Sequence, residues 1–255
     1  MLKQKRFLLE FPSASLHAIG AIYLLPSLLL YFVSEDLKFA LLLDSFSFFE
    51  SLKNIWFPSA GFLNDGGLFR PIVSTINLVD YSLWGINAFG YHLTNALIHL
   101  INIQLVYHLS LRIFKRVDIS FLCSIIFLFH PILANSVYWI SGRTDMVACS
   151  FYLLSLIMTD KYLKDLDIRY FIFSQITFFA ALLSKEISIT LPLAQAWMIW
   201  HNKNDADQDI SLRSVLVRFV AYNALVVALF LSYRLFIFGQ NPLTIDDIYN
   251  IGRWY

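Results

Sequence analysis

The stretch FHPILANSVYWISGRTDMVA (residues 129–148) decides how the chain is read, because it sets His-Pro and then Gly-Arg-Thr-Asp between two apolar runs. An arginine and an aspartate are costly at the centre of a bilayer. They are far cheaper at its surface, where a span ends and another begins. Read as such a boundary, the stretch divides two membrane-spanning helices and makes the chain an all-α, polytopic integral membrane protein. The composition agrees: 58% hydrophobic, 17% aromatic and 15% charged residues, with a mean hydropathy of +0.63, lie outside the soluble globular range.

The formal net charge is +1 and neither half is strongly basic, which excludes a nucleic-acid footprint of clustered Lys and Arg. Two cysteines, Cys123 and Cys149, lie inside apolar runs and behave as small hydrophobes there. They give no disulfide framework and no zinc spacing, and no cofactor is predicted.

Apolar runs at residues 14–33, 91–114, 119–134, 146–159, 170–183, 187–200 and 215–238 predict about seven transmembrane helices, some short enough to be tilted or partly sunk in the bundle. The first follows Lys3, Lys5 and Arg6 without a cleavage pattern and reads as an uncleaved anchor. With a cytoplasmic amino terminus, twelve of the 19 Lys and Arg fall on the inner side and seven on the outer, as the positive-inside rule asks. This threading sends four features to the outer face: the 129–148 boundary, the Ser184-Lys185-Glu186 turn, the long first loop and the carboxyl terminus.

That first outer loop, residues 34–90, is too rich in pattern to be a plain connection. Phe46, Phe48, Phe49 and Trp56 stand among Asp44, Glu50 and Lys53, which suits interfacial helices with aromatic anchors. Asn64-Asp65-Gly66-Gly67 reads as a turn, and Arg70-Pro71 starts another helix that ends near Trp84-Gly85. No second, soluble domain is visible, so residues 1–255 form a single transmembrane domain.

Several polar residues stand where they need an explanation. His92, Asn95, His99 and Asn102 are spaced 3, 4 and 3 apart and share one helix face. Lipid offers them no hydrogen bonds, so they glue helices together or line a wet site. His130 either caps a helix end before Pro131 or serves a site. Arg143 and Asp145 either pair with each other or present a guanidinium fork to a phosphate at the membrane surface. Lys185 and Glu186, at the turn of a short hairpin, either snorkel and pair locally or join that site. Asp44, Glu50 and Asp65 are the loop's candidate acids, and each is either simply solvated or part of a site.

In chain order, Phe69-Arg70-Pro71-Ile72, Gly90-Tyr91-His92-Leu93-Thr94-Asn95 with His99, Phe129-His130-Pro131-Ile132, Trp139-Ile140-Ser141-Gly142-Arg143-Thr144-Asp145 and Ser184-Lys185-Glu186 with Pro192 form a recognisable series. The series resembles the membrane part of the transmembrane O-mannosyltransferases with TPR repeats and their bacterial relatives, within the GT-C class of glycosyltransferases. The resemblance implies a GT-C-like fold with a long first outer loop, and a domain incomplete at its carboxyl end. It implies transfer of a sugar from a polyprenyl-phosphate donor to a protein or glycan hydroxyl on the outer or lumenal face, with the bilayer as the donor's medium. A loop carboxylate acts as base, matched best by Asp44 and next by Asp65. Arg70, Arg143 and Lys185 are the implied phosphate contacts, and His92, His130, Asp145 and Glu186 stand at supporting positions. The chain departs from the family pattern where Asp44 is followed by Ser45 rather than a second acid, and where Asn135 replaces a glutamate after His-Pro. Those departures define the alternative: a degenerate or truncated relative that binds lipid phosphate or scaffolds a partner without turnover.

Overall fold

A computed structural model of the chain describes residues 2–33, 36–58, 69–201 and 212–240, and among them every regular element is helical. Helix α1 (Leu2–Leu24) runs into a 3₁₀ turn, Leu25–Leu29. Three helices make up the described part of the first loop: α2 (Asp36–Asp44), α3 (Phe48–Trp56) and α4 (Pro71–Trp84). Then follow α5 (Ala88–Phe114), α6 (Val117–Phe129), the single turn α7 (Ala134–Tyr138) and α8 (Arg143–Asp165). The last three are α9 (Ile168–Ser184), α10 (Leu191–His201) and α11 (Leu212–Gln240). The expected turn at Asn64-Asp65-Gly66-Gly67 lies outside the described residues.

Local chemistry explains the starts. Ser47 and Glu50 form a reciprocal capping box at α3, satisfying two backbone donors that the first turn would otherwise leave open. Pro71 occupies the first turn of α4, where its missing N–H costs nothing. Asn87 caps α5 through the N–H of Phe89, and Asp167 caps α9 through that of Arg169.

Among the described residues, four stretches are long and apolar enough to cross a membrane: Pro12–Leu29, Ala88–Phe114, Ile140–Asp165 and Arg213–Ile237. A fifth arises if Val117–Phe129 and Pro131–Tyr138, bent by 48°, count as one. The expected seven therefore become four to five. The reason is length: α9 has 17 residues, and α10 has 11, about 16 Å of rise against a hydrocarbon core of about 30 Å. A 3₁₀ turn at Glu186–Thr190 separates them, so the two apolar runs form an elbow.

Ion pairs sort the helix ends into two groups. Asp145 at the start of α8 meets Lys185 at the end of α9 at 2.5 Å, while Glu186 meets Arg70 before α4 at 3.3 Å and Arg234 near the end of α11 at 2.9 Å. Far along α8, Asp160 pairs with Arg112 of α5 and with Lys164, and Tyr162 accepts from Arg218 of α11. Helix α8, 23 residues and about 34 Å long, thus connects two polar ends of the bundle. Between them Phe178, Leu182, Leu191 and Phe230 pack in a shared core. Within that apolar slab Gln195 donates to Ser155, Thr159 and Ser174, and its carbonyl accepts from Asn223, so one amide ties α8, α9, α10 and α11 together.

The α5 stripe faces inward in the same way. His92, Asn95, His99 and Asn102 are all buried. Asn95 donates to the Val137 and Trp139 carbonyls and Asn102 to that of Met146, while His99 stacks on Phe127.

Residues 129–148 form a folded elbow: α6, a 3₁₀ turn (Pro131–Leu133), α7, a second 3₁₀ turn (Ile140–Gly142), then α8. Gly142 lets the second turn rest against α7, since a Cβ there would come within 2.5 Å of the Asn135 carbonyl oxygen and 2.9 Å of the Ser136 Cα. Both are backbone atoms and have little room to yield. Gly142→Ala is expected to lower stability by about 1–3 kcal/mol, measured as the thermal midpoint of the detergent-solubilised protein.

Candidate functional site

Three polar groupings occupy the end of the bundle where α8 begins. The first is a cation-rich cluster. Glu186 is held by Arg70 and Arg234, and Lys185 by Asp145, so three cations face two carboxylates. Their side chains remain between 20% and 47% exposed, which leaves them within reach of a ligand. Partial burial pushes the Glu186 carboxyl up, but its own backbone N–H, Arg70 and Arg234 together outweigh that, and the net result lies below the ordinary glutamate value. The carboxylate therefore stays charged and holds both guanidinium groups in place. Arg234 was not singled out in the sequence; an arginine near the end of the last apolar run was the available signal.

The second grouping is buried. The arginine expected as a fork at the membrane surface is instead completely buried: Arg143 donates to Asp80 of α4 at 2.5 Å and to the Tyr91 carbonyl of α5 at 2.9 Å, with its guanidinium 5.8 Å from the Tyr91 ring centre. Asp80 also accepts from Thr94 at 2.6 Å. It borders an otherwise largely apolar pocket of about 370 Å³ between α4 and α5. Nor does Arg143 pair with Asp145, whose partner is Lys185. The cause is desolvation: once the arginine is enclosed, only a carboxylate enclosed with it makes burial tolerable. Asp80 was not picked out from the sequence, although a lone acid inside the apolar helix Leu78-Val79-Asp80 calls for such a partner.

Beside this pair, Ser141 donates to Asp36 through its hydroxyl at 2.5 Å and its backbone N–H at 3.0 Å, and the other carboxylate oxygen of Asp36 accepts from the Val33 N–H. Asp36 is buried and its oxygens are occupied. It follows Glu35 in the sequence, so two adjacent acids stand at the start of the first loop, a pair not singled out from the sequence. His92 lies buried close by, with Nε2 3.5 Å from the Tyr31 carbonyl.

The third grouping is Asp44 with Tyr81. Asp44 ends α2, is exposed, and accepts a hydrogen bond on Oδ1 from the Tyr81 hydroxyl. That bond raises the Tyr81 phenol above its ordinary value of 10.0. Among the described carboxylates of the first loop, Asp44 and Glu50 are exposed, Glu50 tied into the capping box of α3 and Asp44 keeping an oxygen for a further partner, whereas Asp36 and Asp80 are buried with both oxygens occupied. Asp65 lies outside the described residues. His130 is exposed and its Nδ1 accepts from the Ile132 N–H, which caps the 3₁₀ turn.

The family model for dolichyl-phosphate-mannose-protein mannosyltransferases matches residues 71–237, more than half of the 255-residue chain. That range contains Asp80, Arg143, Asp145, Lys185, Glu186 and Arg234 and leaves Asp44 and Arg70 outside. Human protein O-mannosyl-transferase TMTC1 is 31% identical over 100 residues, 39% of this chain and 11% of the relative. Human protein O-mannosyl-transferase TMTC2 is 26% identical over 196 residues, 72% of this chain and 22% of the relative. Protein O-mannosyl-transferase F38B6.6 of Caenorhabditis elegans is 28% identical over 109 residues, 42% of this chain and 16% of the relative. The aligned stretches thus amount to about a tenth to a fifth of these relatives' lengths. No solved structure matches the chain. The family match runs from α4 to α11 and takes in the buried Asp80 and Arg143 together with most of the cation cluster: the chain belongs to the dolichyl-phosphate-mannose-protein mannosyltransferase family.

Proposed function

We propose that the protein transfers a mannosyl group from a polyprenyl-phosphate donor to a protein or glycan hydroxyl, at the bundle end that carries the cation cluster. The observation that carries this reading is the convergence of Arg70, Lys185 and Arg234 around Glu186 and Asp145. A phosphate arriving from the membrane would compete with those carboxylates for the three cations, and the cations would stabilise the charge on the departing phosphate. Arg143 leaves the set of phosphate contacts because it is enclosed, and Arg234 takes its place. That end faces the outer or lumenal side and the amino terminus the cytoplasm. Support comes from the positive-inside count and from the opposite end, where Arg112, Lys164, Arg169 and Arg218 gather.

In the transfer step the acceptor oxygen forms a bond to the anomeric carbon from the side opposite the phosphate. The carbon–oxygen bond to phosphate breaks, its electron pair leaves with the phosphate, and the hydroxyl proton passes to a carboxylate. Configuration inverts. Asp44 serves as that base because it is exposed with an oxygen available. One observation favours a second reading. Tyr81, which holds Asp44, and Arg70 are eleven residues apart on the path of α4, about 16 Å of rise. Asp36, by contrast, binds Ser141, only four residues from the Asp145 that holds Lys185. The base would then be Glu35 of the acidic pair.

The phosphate assignment is tested with membranes and a labelled mannosyl polyprenyl phosphate. Arg70→Gln and Lys185→Gln are each expected to raise the donor KM about tenfold, the loss of one charge-assisted contact. An unchanged donor KM in both would remove the cluster from the donor site.

A further inference from the structure

The buried arginine lies at the centre of a set of contacts that no surface pairing explains. Residues 139–145 reach backwards to the first loop at two separate points. Ser141 grips Asp36, the first residue of α2, by hydroxyl and backbone N–H. Two residues on, Arg143 grips Asp80 in α4, and the residue after Asp80, Tyr81, hydrogen-bonds Asp44 at the far end of α2. Helix α2 is therefore anchored at both ends by chains of contact that start from one short turn before α8. The same turn is pinned to α5 by Asn95 donating to the Trp139 carbonyl and by Arg143 donating to the Tyr91 carbonyl.

The geometry points to a clamp in which Ser141 and Arg143 are positioning residues that seat the first loop, with its carboxylates, over the start of α8. Its two grips differ in character. The Arg143 and Asp80 pair is an enclosed ion pair, whereas the Ser141 grip on Asp36 is a pair of charge-assisted hydrogen bonds from a neutral donor, partly buried. Helix α2 has nine residues, too few to persist in isolation, so its placement depends on these end contacts. Asp44 is one end of the helix and Asp36, next to Glu35 in the sequence, is the other, so the clamp bears on either candidate base. The inference rests on the transferase reading for its catalytic consequence, but not on which carboxylate takes the proton.

The test uses Ser141→Ala and Asp80→Asn in the full chain, with two readouts. Amide hydrogen exchange over residues 36–44 is expected to quicken by about tenfold in both variants while α8 and α9 keep their protection, as loss of a charge-assisted hydrogen bond without global unfolding would give. In the transfer assay kcat is expected to fall by about tenfold with the donor KM held within about twofold. Unchanged exchange in Ser141→Ala would overturn the clamp. So would a donor KM that rises with kcat preserved in Asp80→Asn, since Arg143 would then belong to the phosphate site. Should Asp80→Asn fail to fold, Ser141→Ala decides alone. If the native protein transfers no sugar, the transferase reading fails while the exchange measurement still decides the clamp.

Discussion

Replacing Arg143 by Met is expected to destabilise the protein by about 3–5 kcal/mol, the cost of leaving a buried carboxylate without its partner. Asp80 is only 3% exposed, and after the substitution its remaining partner is the Thr94 hydroxyl. It would have to take up a proton or draw water into the bundle, and either outcome loosens the contact between α4 and α8. The double variant Asp80→Leu with Arg143→Met removes both charges and is expected to recover most of that loss, because an apolar pair of similar volume avoids desolvating ions altogether. Thermal midpoints of the three proteins in one detergent check this. Equal losses in the single and double variants would mean that the pair contributes nothing through its charges.

The second large effect concerns the base. Asp44→Asn keeps the shape and keeps an acceptor for Tyr81, but an amide takes no proton from the attacking hydroxyl. Transfer is expected to fall by about 10²–10⁴ in kcat with the donor KM little changed, since general-base catalysis contributes on that scale. Glu35→Gln and Asp65→Asn serve as comparators in the same membranes. Activity that survives Asp44→Asn and is lost in Glu35→Gln moves the base to Glu35.

Much of the architecture is legible in residue spacing. The stripe His92, Asn95, His99, Asn102 has helical period, and a face of that kind has to turn inward in lipid; its two asparagines indeed bond backbone carbonyls of the neighbouring elbow. Pro71 marks a helix start for the same elementary reason. The span count is less legible because hydropathy reports apolar runs and not their geometry: residues 187–200 are apolar, yet a 3₁₀ turn consumes the first part and leaves an 11-residue helix. Pairings across long separations are least legible. Arg143 and Asp80 are 63 residues apart, and local sequence places Arg143 beside Asp145. Only enclosure, a property of the whole bundle, selects the distant partner over the near one. Glu186 illustrates the same point, since its two arginines are distant in the chain, one 116 residues before it and the other 48 after. The opening stretch is a surface boundary at Asp145 but a buried junction at Arg143, two residues away.

The most direct measurement is single-turnover transfer by the purified full chain reconstituted in liposomes with a radiolabelled mannosyl polyprenyl phosphate and a hydroxyl-bearing acceptor peptide. Label is expected to move to the peptide with inverted anomeric configuration, and Arg70→Gln and Lys185→Gln to slow it at limiting donor. A protein that retains the labelled lipid through purification and releases no mannosyl group to any acceptor would contradict the transferase reading and leave a lipid-phosphate-binding relative in its place.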